Sequence, residues 1–203
     1  GFAPDVLACD PPTGLLVTRY IEGRTWQASD AVEPRNLARI GSLLARLHTL
    51  PPAPGIAVVS YAEQARHLAS TIPASDPTVA VFRHRADQAF ERIERRKPRR
   101  ALCHHDLHHL NVVDTGAHLW LVDWEYGGVG DPLFDVAGFL ALHELGVAET
   151  DLLLGAYGAG STVDREVLEE ARWAFDYVQW LWYRSSLESR PDPDGVLADR
   201  EGR

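Results

Sequence analysis

From Cys103 to Asp123 the chain reads CHHDLHHLNVVDTGAHLWLVD, and this stretch constrains the fold more than any other. Two apolar segments, NVVD and HLWLVD, meet at Thr115-Gly116, a pair that favours a tight turn, so the stretch is expected to close as a short hairpin. A tight hairpin returns Asp123 to the neighbourhood of Asn111. Asp106 then stands at the far end of the preceding loop and faces the same cavity. Four histidines and one aspartate occupy residues 104–109.

The surroundings are helical. In EPRNLARIGSLLARLHTLPP, Leu37, Ile40, Leu44 and Leu47 recur at helical spacing, with Pro34 early in the helix and Pro51-Pro52 beyond it. Ser60 and Glu63 form a capping-box pattern, and Asp76-Pro77 opens a further helix that ends at Pro98. Helices are expected again at 132–146, 149–157 and about 164 to 188, and residues 191–203 read as a loose tail. Earlier, TGLLVTRYIEG predicts a strand over Leu15 to Tyr20 and a turn at Glu22-Gly23.

The chemistry of the hairpin follows from its residue types. Asn111 and Asp123 would bring two hard oxygen donors to adjacent strand ends, the ligand type magnesium takes when it also keeps waters and phosphate oxygens. A carboxylate at Asp106 could orient a substrate hydroxyl and take its proton. A zinc hydrolase would need a different histidine spacing, so the HHDLHH run does not favour one.

The paired segments HHDLHHLNVV and LWLVDWEYGGVGDPLFDVAGF resemble the aminoglycoside phosphotransferase and choline kinase superfamily, over roughly residues 14 to 188. The resemblance implies an α+β, protein kinase-like fold, mainly the helical C-terminal lobe with a small β insert carrying the catalytic loop. Residues 1–24 would be a remnant of the nucleotide-binding lobe with its hinge, and 25–190 the C-terminal lobe. Asp106 is the implied base, His104 a brace of its loop, and His108 a structural or substrate-facing group. Asn111 and Asp123 are the implied magnesium ligands. Arg19, Tyr20 and Ile21 form the implied adenine hinge. Asp135 would hold the catalytic loop through backbone N–H groups. The implied activity is ATP- and Mg²⁺-dependent phosphorylation of a small alcohol. Choline or ethanolamine is the first choice of acceptor, with thiamine or an aminoglycoside as alternatives.

Trp173, Tyr177 and Trp180 form a second stripe on the last helix, beside the core stripe Leu168, Ala171, Phe175, Val178 and Trp182. The second stripe reads either as another buried face or, with Glu125, as a wall for a cationic acceptor.

The resemblance also marks a departure. Lys97 is the only lysine. Only about 18 residues precede the hinge, too few for the phosphate-covering loop and strand lysine of such kinases. A fragment of a longer kinase is the favoured explanation, with a non-catalytic binding module as the alternative. The net charge of −9 opposes non-specific nucleic-acid binding. Cys9 and Cys103 fit no disulfide framework, which points to a reducing cytoplasm, and no apolar run approaches a membrane span. The basic run 92–100 reads as the solvated end of a helix.

Overall fold

The computed structural model describes residues 1–73, 76–158 and 163–185. The tail expected at 191–203 lies outside them. Strand β1 (Val6–Asp10) pairs antiparallel with β2 (Leu15–Thr18) around a single 3-10 turn at Pro11–Thr13. Beyond the short β3 (Arg24–Thr25) come α1 (Ala28–Ala31), α2 (Pro34–Leu47), α3 (Tyr61–Thr71) and α4 (Pro77–Glu94). The β insert holds β4 (Ala101–Cys103), β5 (Val112–Asp114), β6 (Leu119–Leu121) and β7 (Gly128–Gly130). Three helices follow, α5 (Leu133–Leu142), α6 (Val147–Tyr157) and α7 (Arg165–Ser185).

Two small sheets frame the insert. In one, β5 lies between β3 and β6; in the other, β4 pairs with β7. The hairpin register sets Val112 opposite Leu121 and Asp114 opposite Leu119. Asp114 anchors this sheet to α2. Its carboxylate accepts both guanidinium nitrogens of Arg39 and the Trp26 indole N–H. Arg39 thereby holds the Asp114 carboxyl far below the usual carboxylate range.

The expected helical spacing is realised: Leu37, Ile40, Leu44 and Leu47 are all buried. Helix α5 is apolar all round and occupies the centre, as a helix buried on every side must. Helix α2 packs on α6, while α7 packs on α3, α4 and α5. Gly41 permits the α2–α6 approach, since a Cβ there would stand 2.4 Å from the Leu153 carbonyl oxygen. Gly138 does the same for α5 and α7, where a Cβ would stand 2.7 Å from the Phe175 ring.

Several expectations are refined. The strand expected over 15–20 ends at Thr18, and β1, β3 and β7 were not anticipated. The core stripe of α7 stops short: Leu168, Ala171, Phe175 and Val178 are buried, but Trp182 is 43% exposed. At the start of α5, Asp131 Oδ1 accepts the Leu133 N–H at 3.0 Å. In the basic run, Arg92, Arg95 and Arg96 pair with Glu170, Glu91 and Asp131. Among the described residues no helix is long and apolar enough to cross a membrane.

The β1–β2 hairpin turns apolar side chains to solvent. Val6, Leu7, Leu15 and Leu16 are each more than half exposed, at 59%, 57%, 54% and 60%. Contiguous exposed apolar surface of this kind drives association. Expressed as these 203 residues alone, the chain is expected to sediment above its monomer mass of 22.5 kDa. The double change Leu7→Lys and Leu16→Glu should restore the monomer and leave the melting temperature nearly unchanged. Unaltered self-association of that variant in the ultracentrifuge would assign the contact to another surface.

Candidate active site

The loop between β4 and β5 is held from three sides. Asp135, in the first turn of α5 where a carboxylate suits the helix dipole, is 1% exposed. Its Oδ2 accepts the His104 backbone N–H and its Oδ1 the His105 backbone N–H, both at 2.8 Å. His48 Nε2 lies 3.0 Å from Oδ2. Burial alone would push the Asp135 carboxyl up. The His48 bond, the charges of the neighbouring imidazoles and the His104 N–H outweigh it and hold the carboxyl below its ordinary value.

His104 forms the second tie. It is fully buried, and its Nε2 donates to the Val122 carbonyl at 2.9 Å, joining the loop to the end of β6. Its ring leans on Trp124. The third tie comes from Tyr61, whose hydroxyl donates to the His105 carbonyl at 3.2 Å. His105 sits in the left-handed region, at φ 64, with a buried ring whose nitrogens have no partner. Burial lowers the pKa of that ring. His105 therefore serves the loop through its backbone.

Asp106 follows, half-buried. Asn111 Nδ2 donates to the Asp106 carbonyl at 2.9 Å and to its Oδ2 at 3.1 Å. The 3-10 turn at His109–Asn111 makes this possible by folding the chain back within five residues. His108 caps that turn, its Nδ1 accepting the Leu110 N–H at 3.2 Å. With Nδ1 accepting, the ring proton sits on Nε2, which stands 3.6 Å from Asp106 Oδ2. That is longer than a hydrogen bond. The His108 ring first, against some opposition from burial, keeps the Asp106 carboxyl below its ordinary value. Asp106 is thus ionised at neutral pH and able to accept a proton.

The Val122 N–H donates to the Asn111 carbonyl at 3.0 Å, so Asp123 stands one residue beyond the contact with Asn111. Asp123 is exposed and left-handed, with φ 62, a conformation aspartate tolerates better than most residues. Asn111 is buried and its amide nitrogen is committed to Asp106, which leaves Oδ1 as the group to offer a cation. An amide oxygen and an exposed carboxylate are hard donors, and this set fits magnesium.

Arg19, Tyr20 and Ile21 link β2 to β3; Tyr20 is 83% exposed, and Arg19 pairs with Asp5. Glu125 is exposed, two residues beyond Asp123. The reading of Trp173, Tyr177 and Trp180 as a substrate wall is corrected. They are 6%, 2% and 2% exposed, stacked on one another, with Arg85 over Trp173 and Phe82 against Trp180, so they face α4. Helix α7 buries two faces because α3, α4 and α5 all pack on it.

The sequence reading passed over His48 and Tyr157. His48 caps the C-terminus of α2, and its Nδ1 lies 2.7 Å from the Tyr157 hydroxyl at the end of α6. Nothing local marks either residue, since their partners lie 87 and 109 positions away in the chain. With Cys103, the ligand atoms of His48 and Asp135 fall within 4.8 Å of one another, a grouping that could hold a metal. The chemistry argues against one. Burial pushes the Cys103 thiol far up, away from the thiolate a metal needs, and Asp135 already accepts from His48 and two backbone N–H groups.

Residues 2–173 match the model of the phosphotransferase enzyme family. The LicA protein of Haemophilus influenzae is 40% identical over 55 residues, which cover 27% of this chain and 21% of that protein. The matched stretch thus spans about a fifth of that curated relative's length. A choline/ethanolamine kinase family protein from Mesorhizobium loti superposes with a TM-score of 0.85 at 24% identity, over 99% of this chain and 74% of that one. LicA in complex with AMP superposes with a TM-score of 0.82 at 20% identity, over 99% and 72%. At these identities the likeness fixes the fold, which is that of the kinase-like phosphotransferases, as expected.

Proposed function

The chain belongs to the phosphotransferase enzyme family, and from that premise we propose that the protein phosphorylates the hydroxyl of a choline- or ethanolamine-like alcohol with ATP and magnesium. The observation that carries the reading is the arrangement of Asp106. Its carboxylate is ionised, half-buried and fixed by Asn111, on a loop whose preceding residues are clamped by Asp135. Such a group can orient an acceptor hydroxyl and take its proton as the phosphoryl group departs from the nucleotide.

Asn111 and Asp123 would hold the magnesium, and His104 would keep their strand ends in register with the loop. Bound magnesium supplies neutralisation of phosphate charge. His108 would keep its Nε2 proton toward Asp106. Residues 19–21 would form the hinge beside adenine, and β1 and β2 would belong to a nucleotide-binding lobe. Glu125 supports a cationic acceptor, since it is an exposed carboxylate close to Asp123 in the chain. The likeness in fold to the choline/ethanolamine kinase family protein of Mesorhizobium loti supports the same acceptor class.

The test is a panel assay of the full-length gene product with ATP and Mg²⁺ against choline, ethanolamine, thiamine and kanamycin. Turnover of choline or ethanolamine above the others is expected. Phosphorylation of kanamycin alone would place the protein in the antibiotic-modifying branch. Tight ATP binding with no turnover of any acceptor would favour a non-catalytic module.

A further inference from the structure

One histidine of the HHDLHH run has no task in the phosphotransfer reading. His104 braces the loop, His105 serves it through its backbone and His108 caps the 3-10 turn, whereas the His109 ring meets His143 at the end of α5. We propose that His109 and His143 form a two-histidine site for a divalent transition-metal ion of the zinc, nickel or copper kind, separate from the magnesium pair. His109 Nδ1 and His143 Nε2 stand 3.2 Å apart. Imidazole nitrogens bind zinc at about 2.0–2.1 Å. Two nitrogens with the observed spacing would subtend about 100° at such an ion, between the octahedral and tetrahedral angles. The ring centroids would then lie about 5 Å apart. They lie 5.3 Å apart, so the rings need little adjustment.

The second support is the orientation of His143. Its Nδ1 lies 2.8 Å from the Phe139 carbonyl oxygen. A carbonyl oxygen only accepts, so Nδ1 carries the ring proton, and Nε2 of the neutral ring is a lone pair facing His109. A metal-bound imidazole is usually held in this way, through its other N–H. His109 Nδ1 donates to that lone pair. For both lone pairs to meet one ion, the His109 proton moves to Nε2, which bonds no group among the described residues. The ring changes tautomer and no proton is lost. The group of His48, Cys103 and Asp135 differs, because it is buried and its atoms are already committed. His109 and His143 are half-buried, so an ion can arrive with its waters. No third histidine, cysteine or carboxylate among the described residues joins the pair, so waters would complete the shell. Imidazole favours zinc, nickel and copper, whereas magnesium takes oxygen donors. The two rings stand 34 residues apart in the chain, one on the turn that carries Asn111 and one at the C-cap of α5. An ion between them ties that turn to the helix.

The test uses the full-length protein without a histidine tag, at neutral pH and in excess Mg²⁺, with Ni²⁺, Zn²⁺ and Cu²⁺ as probes. Calorimetry should show one Ni²⁺ bound per chain. Zn²⁺ should raise the melting temperature, since only the folded chain brings the two rings together. His109→Ala and His143→Ala should each weaken Ni²⁺ binding by at least about tenfold. His118→Ala, outside the pair, should leave it unchanged. Electron paramagnetic resonance of the Cu²⁺-loaded protein should show coupling to two ring nitrogens, reduced to one in either variant. Absence of Ni²⁺ binding would overturn the proposal, as would equal binding by the wild type and both variants, or a copper spectrum that neither variant changes. Loss of binding in His118→Ala instead would assign the ion to another place and overturn it too. Should an alanine variant not fold, His109→Gln and His143→Gln carry the test with the same expected loss, because an amide keeps the side chain polar without an imidazole nitrogen. None of these readouts depends on turnover, so the proposal and the phosphotransfer reading fail separately.

Discussion

Asp106→Asn in the full-length protein is expected to lower turnover by about 10²- to 10⁴-fold, the usual contribution of a positioned general base. Asparagine keeps the shape of the side chain and can keep an oxygen toward Asn111 Nδ2, which now donates at 3.1 Å to the Asp106 carboxylate. The loop should therefore stay in place, because its ties run through the backbone of His104 and His105. KM for ATP should barely move. Asp123→Asn should act differently. It removes the exposed carboxylate of the proposed magnesium pair, so the Mg²⁺ concentration needed for half-maximal rate should rise. Steady-state kinetics with magnesium as the varied component separate the two. Equal and mild effects of both changes would remove both roles.

Asp135→Ala is expected to be the most destabilising single change, by roughly 3–5 kcal/mol, because it breaks a buried, charge-assisted network and leaves its donors unpaired. The donors left behind are the N–H groups of His104 and His105 and the His48 ring. Urea unfolding should show a lower midpoint with little change in slope. A loss under 1 kcal/mol would mean that water replaces the carboxylate and the site is less closed than its burial indicates.

The same carboxylate sets a sign for pH. Its folded-state pKa lies below the ordinary value, so its contribution is complete above the unfolded carboxylate pKa of about 3.9 and is lost as pH falls through the folded value. Asp30 and Asp76 follow the same direction. Arg24 holds Asp30, and Arg184 holds Asp76, each at about 2. Acid unfolding is therefore expected between about pH 4 and 2. Asp135→Ala should flatten the pH dependence in that window, measured as melting temperature against pH.

The hairpin and the Asp106–Asn111 contact were legible because their residues lie close in the chain. A hairpin with a fixed turn must bring Asp123 back to Asn111, and the five residues from Asp106 to Asn111 can close in a single 3-10 turn. The helices were legible because their apolar spacing is local, and the capping of α3 by Ser60 and of α4 by Asp76 is local too. The nearly featureless strands β3 and β7, of two and three residues, escaped notice because their pairing depends on partners far along the chain.

By itself, then, the sequence determined the main helices and where the hairpin turns. Those outcomes depend on periodicity and turn chemistry within a few residues. Tertiary structure alone decided that His48 and Tyr157 reach Asp135, and that Trp173, Tyr177 and Trp180 pack against α4. An aromatic stripe on a helix has the same spacing whether it meets a ligand or another helix. A histidine at a helix end has the same neighbours whether or not a carboxylate 87 residues away is brought to it. Only the packing of α2, α5, α6 and α7 makes those choices, because it selects which faces water can reach and which polar groups must find one another in its absence.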